Sequence, residues 1–124
     1  MTNILMVEDN ELNRDMLSRR LKRKDFEVAC ALDGESGVEM ARAQKPDLIL
    51  MDMSLPGMDG FQFVDQLRIR DQLDVPIIVV TAKDITDEDR SLLNGAVEQV
   101  VSKSEFDRKK LEQLITELAN QTLR

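Results

Sequence analysis

Leu48-Ile49-Leu50-Met51, followed at once by Asp52, is the stretch that decides the fold. A short run that is apolar throughout, with no alternation, describes a strand buried on both faces, as in a parallel sheet covered by helices. The same pattern recurs in Ile4-Leu5-Met6-Val7 and Ile77-Ile78-Val79-Val80. Two weaker runs, Glu27-Val28-Ala29-Cys30-Ala31 and Val97-Glu98-Gln99-Val100-Val101, bring the expected strands to five. The first of these is short and less apolar, which suits a sheet edge.

Segments of helical period lie between the strands. They carry Leu12, Met16, Leu17 and Leu21 in the first, Val38 and Ala41 in the second, and Phe63, Val64 and Leu67 in the third. A fourth helix is expected from about Asp87 to Asn94, opened by a capping box of Thr86 and Asp89 and ended by Gly95. Leu111, Leu114, Ile115 and Leu118 mark one stripe of a fifth. Asp33-Gly34, Pro56-Gly57 and Asp59-Gly60 read as turn signals, and Pro46 and Pro76 stand just before strands. Regular alternation of strand and helix, joined by right-handed crossovers, puts helices on both sides of a parallel sheet.

With 124 residues, 42% of them hydrophobic, the chain suits one domain spanning residues 1–124. A net charge of −7 argues against direct nucleic-acid binding and against an anionic membrane surface. The basic run Arg19, Arg20, Lys22, Arg23 and Lys24 reads as a solvated helix end that complements the helix dipole. Cys30 is the only cysteine and histidine is absent, which excludes an internal disulfide, a multi-cysteine zinc site and hydrolases built on Ser-His or Cys-His. Cys30 itself reads as a small buried hydrophobe. Apolar runs of about four residues are far too short for a membrane span, and no signal pattern opens the chain, so a cytoplasmic protein is expected.

In open α/β sheets, ligands bind outside the carboxyl ends of the strands. Strand one runs into Glu8 and Asp9, strand three into Asp52 and strand four into Thr81, while strand five is followed by Lys103. Carboxylates crowded on one rim call for a compensating cation. An all-oxygen donor set without His or Cys selects a hard ion, Mg²⁺ ahead of Ca²⁺ or a transition metal. Such a metal, with Lys103 and a hydroxyl from Thr81, would make a place for a phosphoryl group. The loop Glu8-Asp9-Asn10-Glu11 lacks the glycines of a nucleotide cradle and would repel a bare phosphate.

Val7-Glu8-Asp9-Asn10, the stretch from Pro46 through Asp52 to Gly60, Pro76-Ile77-Ile78-Val79-Val80-Thr81-Ala82 and Lys103 together resemble the receiver domain of bacterial two-component response regulators. The resemblance implies a flavodoxin-like doubly wound parallel sheet of order 2-1-3-4-5 with five helices. It implies that Asp52 is the phosphoryl acceptor, that Glu8, Asp9, Asp52 and the Ser54 backbone carbonyl arrange Mg²⁺, and that Thr81 and Lys103 hold the phosphoryl oxygens. The donor would be a phosphohistidine on a sensor histidine kinase or a His phosphotransfer protein. The chain would catalyse its own phosphorylation and dephosphorylation only, and would signal by conformational change to an unknown target.

Two positions depart from the family pattern. Val100 stands where an aromatic residue usually precedes the lysine by three, and Ser104 stands where proline commonly follows it. The resemblance with these departures implies an atypical readout on the surface from helix four to helix five. A phosphorylation-independent binding module of degenerate receiver type is the alternative function. An aspartyl-nucleophile phosphatase would want a second Asp two residues after Asp52, where Ser54 stands. The chain reads as a stand-alone receiver or as an excised piece of a larger regulator or hybrid kinase.

Overall fold

The computed structural model describes residues 3–24, 26–52, 57–81, 86–93, 97, 99–102 and 113. Among them, β1 (Asn3–Val7), β2 (Glu27–Ala31), β3 (Leu48–Met51), β4 (Ile77–Thr81) and β5 (Gln99–Ser102) form one parallel sheet of order β2-β1-β3-β4-β5. The helices are α1 (Glu11–Arg23), α2 (Gly34–Gln44), α3 (Gly60–Asp65) and α4 (Asp87–Leu93). Strand order and the doubly wound architecture follow the sequence expectation. Leu111, Leu114, Ile115 and Leu118, the stripe of the expected fifth helix, lie outside the described residues, as does Gly95.

The uniformly apolar strands fill two separate core layers, because successive side chains on a strand point to opposite faces. Leu5, Val7, Ile49, Met51, Ile77 and Val79 join Val38 and Ala41 of α2, Phe63 and Val64 of α3 and Leu93 of α4. Ile4, Met6, Leu48, Leu50, Ile78 and Val80 pack instead with Leu21 of α1. Register aligns Val7 with Met51 and Met51 with Val79, so the strands end nearly level and deliver their next residues to a single rim.

Local chemistry at the helix starts differs from the turn reading of the Asp-Gly pairs. Asp33 and Asp59 are N-caps, accepting from the Ser36 and Gln62 backbone N–H at 2.8 and 2.9 Å. Gln62 reaches back to the Asp59 N–H at 3.1 Å and completes a capping box. The Ser36 N–H holds the Asp33 carboxyl below the ordinary carboxylate range. Gly57 takes a φ of +75°, the left-handed backbone that the Pro56-Gly57 signal anticipates. α4 begins one residue after Thr86, as the capping assignment requires.

Two buried assignments are corrected. Leu12 is 68% exposed, because Leu21 lies nine residues on, about half a turn away at 100° per residue, and it is Leu21 that faces the sheet. Cys30 is exposed, on an edge strand that has a neighbour on one side only. The structure also adds a π-helical segment, Gln66–Arg70, which continues α3 and ends at Asp71, itself paired with Arg42 of α2 at 2.8 Å.

Gly37 of α2 sits close against both α3 and the sheet. A Cβ there would come within 2.9 Å of Phe63 Cε2 and of Val7 Cγ2, neither of which ends a flexible side chain. Gly37→Ala is therefore expected to destabilise the fold by about 1–3 kcal/mol through overpacking. That reverses the gain of about 1 kcal/mol that alanine brings to an ordinary helix interior. Equilibrium urea unfolding of parent and variant reads the sign directly.

Candidate functional site

Three carboxylates converge where β1 and β3 run out. Glu8 and Asp9 follow β1, Asp52 follows β3, and one oxygen from each lies within 4.8 Å of the others. Glu8 and Asp52 are 5% and 6% exposed, whereas Asp9 faces solvent. The sheet ladder extends to hold the two buried ones. The Glu8 N–H donates to the Ala31 carbonyl at 3.1 Å and the Asp52 N–H to the Val7 carbonyl at 3.3 Å. The geometry of this site is thus inherited from strand pairing on either side of β1.

Capping of α1 falls to Asn10, whose side-chain oxygen accepts from the Asn13 N–H at 2.9 Å. Its own backbone N–H donates to Glu8 Oε1 at 3.1 Å, fixing one edge of that carboxylate. Arg14, one turn into α1, reaches back and donates through Nη1 to the carbonyls of Glu8 at 3.0 Å and Asp9 at 3.4 Å. Sequence reading missed both supports. An Asn directly before a helical segment is a recognisable capping signal. The Arg14 contact has no such signal, because it exists only once the chain has turned from β1 into α1.

Thr81 closes β4 at the same rim: Met51 pairs with Val79, so Thr81 stands one residue beyond the level of Asp52. Lys103, Ser54 and Ser104 lie outside the described residues. Val100 pairs with Val79 in β5 and is half-buried against the core layer of α2 and α3.

Carboxylate charges held within 4.8 Å of one another repel, most strongly between the buried Glu8 and Asp52. Strand pairing imposes this cost, and a cation relieves it. The donor set is oxygen throughout, in a chain without histidine, which fits a hard divalent ion such as Mg²⁺.

A parallel sheet of this order with an acidic cluster at the carboxyl ends of its first and third strands defines a receiver-type architecture. Residues 4–116 match the family model described as the response regulator receiver domain, and the chain belongs to that family. It is 42% identical over 102 residues to the transcriptional regulatory protein AfsQ1 of Streptomyces coelicolor, an alignment covering 82% of this chain and 44% of that one. The chain spans less than half the length of the curated relatives it matches.

Among solved structures, it resembles the response regulator TrrA of Thermotoga maritima in complex with Mg²⁺ and BeF, at 28% identity and a TM-score of 0.81, covering 95% of this chain and 99% of that one. It also resembles the receiver domain of a Pseudomonas aeruginosa sensor histidine kinase that has a magnesium ion coordinated in its active-site cleft. That match has 29% identity and a TM-score of 0.83, over 96% and 98% of the two chains.

In chelator at low salt, Asp9→Asn is expected to unfold at a higher urea concentration than the parent, because it removes one of three crowded charges. At about 1 M NaCl, where screening acts within about 3 Å, the gap should close. A lower midpoint for the variant in chelator would mean that attraction, and not enforced repulsion, governs Asp9.

Proposed function

We propose that the chain, read as one receiver unit over residues 1–124, accepts a phosphoryl group on Asp52 from a phosphohistidine. The donor is a sensor histidine kinase or a His phosphotransfer protein, since this chain has no histidine of its own. The observation that carries the reading is the convergence of Glu8, Asp9 and Asp52 on one rim of a receiver fold.

Asp52 acts as nucleophile. A carboxylate oxygen attacks phosphorus in line, the P–O bond forms as the P–N bond to the donor imidazole breaks, and the imidazole leaves. Glu8, Asp9 and Asp52, with the Ser54 backbone carbonyl, would hold Mg²⁺. When bound, that ion offsets charge on the phosphoryl oxygens. To Thr81 and Lys103 we assign the holding of those oxygens, and water later hydrolyses the acyl phosphate. Burial of Asp52 restricts access to a donor that can enter the rim. The role is signalling by conformational change within a two-component system, with no direct nucleic-acid or membrane contact and a cytoplasmic setting. Among the described residues, no helix is long and apolar enough to cross a membrane.

Intact-mass analysis after incubation with acetyl phosphate tests this reading. A single phosphoryl adduct is expected with Mg²⁺, absent in chelator and absent in Asp52→Asn. No adduct, even from a phosphorylated His donor protein, would overturn it in favour of a phosphorylation-independent binding module.

The readout is atypical on this reading, because Val100 offers no aromatic ring to swing inward behind Thr81. Phosphorylation is expected to leave α4 and β5 without the displacement that accompanies such a swing, as followed by backbone NMR. Observing that displacement would remove Val100 as a distinguishing feature.

A further inference from the structure

We propose that Arg14 is a positioning residue for the acidic site, holding the backbone of Glu8 and Asp9 so that their carboxylates face Asp52 before any metal arrives. The inference rests on the reading of those three residues as Mg²⁺ ligands.

Beyond the Glu8 N–H the strand ladder no longer dictates the chain's direction, and the chain there must present two successive carboxylates toward a third. Repulsion among them favours splaying the loop. Arg14 opposes this from α1: its Nη1 donates to the Glu8 carbonyl at 3.0 Å and the Asp9 carbonyl at 3.4 Å. Fixing two consecutive carbonyls fixes the peptide planes on both sides of the Asp9 Cα, and with them the direction in which its side chain leaves. The Arg14 backbone is itself anchored, its N–H donating to the Asn10 carbonyl at 3.0 Å in the first turn of α1. Cap, clamp and helix therefore form one rigid support behind the ligands, of the kind that tunes a metal site from outside its ligand set.

Charge and geometry make opposite predictions for Arg14. As a fixed positive charge beside a cation site, it weakens Mg²⁺ binding, so its removal would tighten binding. As a clamp, it pre-organises the ligands, so its removal would loosen binding.

Calorimetric titration of MgCl₂ into the metal-free parent, Arg14→Ala and Arg14→Lys separates the two, alongside unfolding midpoints in chelator. Loss of the clamp in Arg14→Ala is expected to weaken Mg²⁺ binding by about ten- to a hundredfold. Arg14→Lys, which keeps the charge and loses the planar fork, is expected to recover only part of that loss with its metal-free midpoint unchanged. If Arg14→Ala loses metal-free stability, Arg14→Lys decides: weakened binding at an intact midpoint supports the clamp, and parental affinity overturns it. Weakening of less than about tenfold in Arg14→Ala with an intact midpoint, or tighter binding, overturns it too. A parent that binds no Mg²⁺ overturns the metal reading and this inference together, whereas a parent that binds with unweakened variants overturns the clamp alone.

Discussion

Strand pairing forces like charges together in this molecule, and most of its other features answer to that constraint. β1 lies between β2 and β3, and its ladder continues one residue past Val7 on one side and reaches Asp52 on the other. Those backbone bonds bring Glu8 beside Asp52 with both side chains nearly removed from water. Burying two carboxyl groups side by side costs free energy, and the large apolar burial on both faces of β1, β3 and β4 helps to offset it. The site is thus a polar liability carried by a hydrophobic sheet, which is the usual relation between function and stability.

Helix placement serves the same end. α2 and α3 meet across Gly37, where the missing side chain lets the helix settle onto Phe63 and Val7. Val7 is also the residue whose carbonyl receives the Asp52 N–H. Close packing at Gly37 therefore bears on the strand end that positions the site, and a methyl group added there would press on that strand. On the opposite face α1 buries Leu21 and half-buries Leu17, while its first turn carries Asn10 and Arg14 against the acidic loop.

Legibility of the sequence tracked the length scale of the cause. Leu48-Ile49-Leu50-Met51 and its two counterparts are two-sidedly buried strands as read, and order 2-1-3-4-5 followed from alternation and family resemblance. The Asp-Gly pairs were legible as punctuation but not in kind, because an Asp that opens a turn and one that caps a helix present the same short side chain. Leu12 misled because apolar character alone does not say which side of a helix meets a sheet. The π-helical Gln66–Arg70, which ends beside the Arg42–Asp71 pair, had no signal at all.

The acidic residues divide in the same way. Their identity, their position at strand ends and the chemistry of an all-oxygen donor set were determined by the sequence alone, because strand period and residue type are local properties. That Glu8, Asp9 and Asp52 come within 4.8 Å was decided only by the tertiary structure, as was the reach of Arg14 back over the loop once the chain has turned from β1 into α1. The physical reason is that register and crossover bring together residues more than forty positions apart. No local pattern encodes a distance across a sheet.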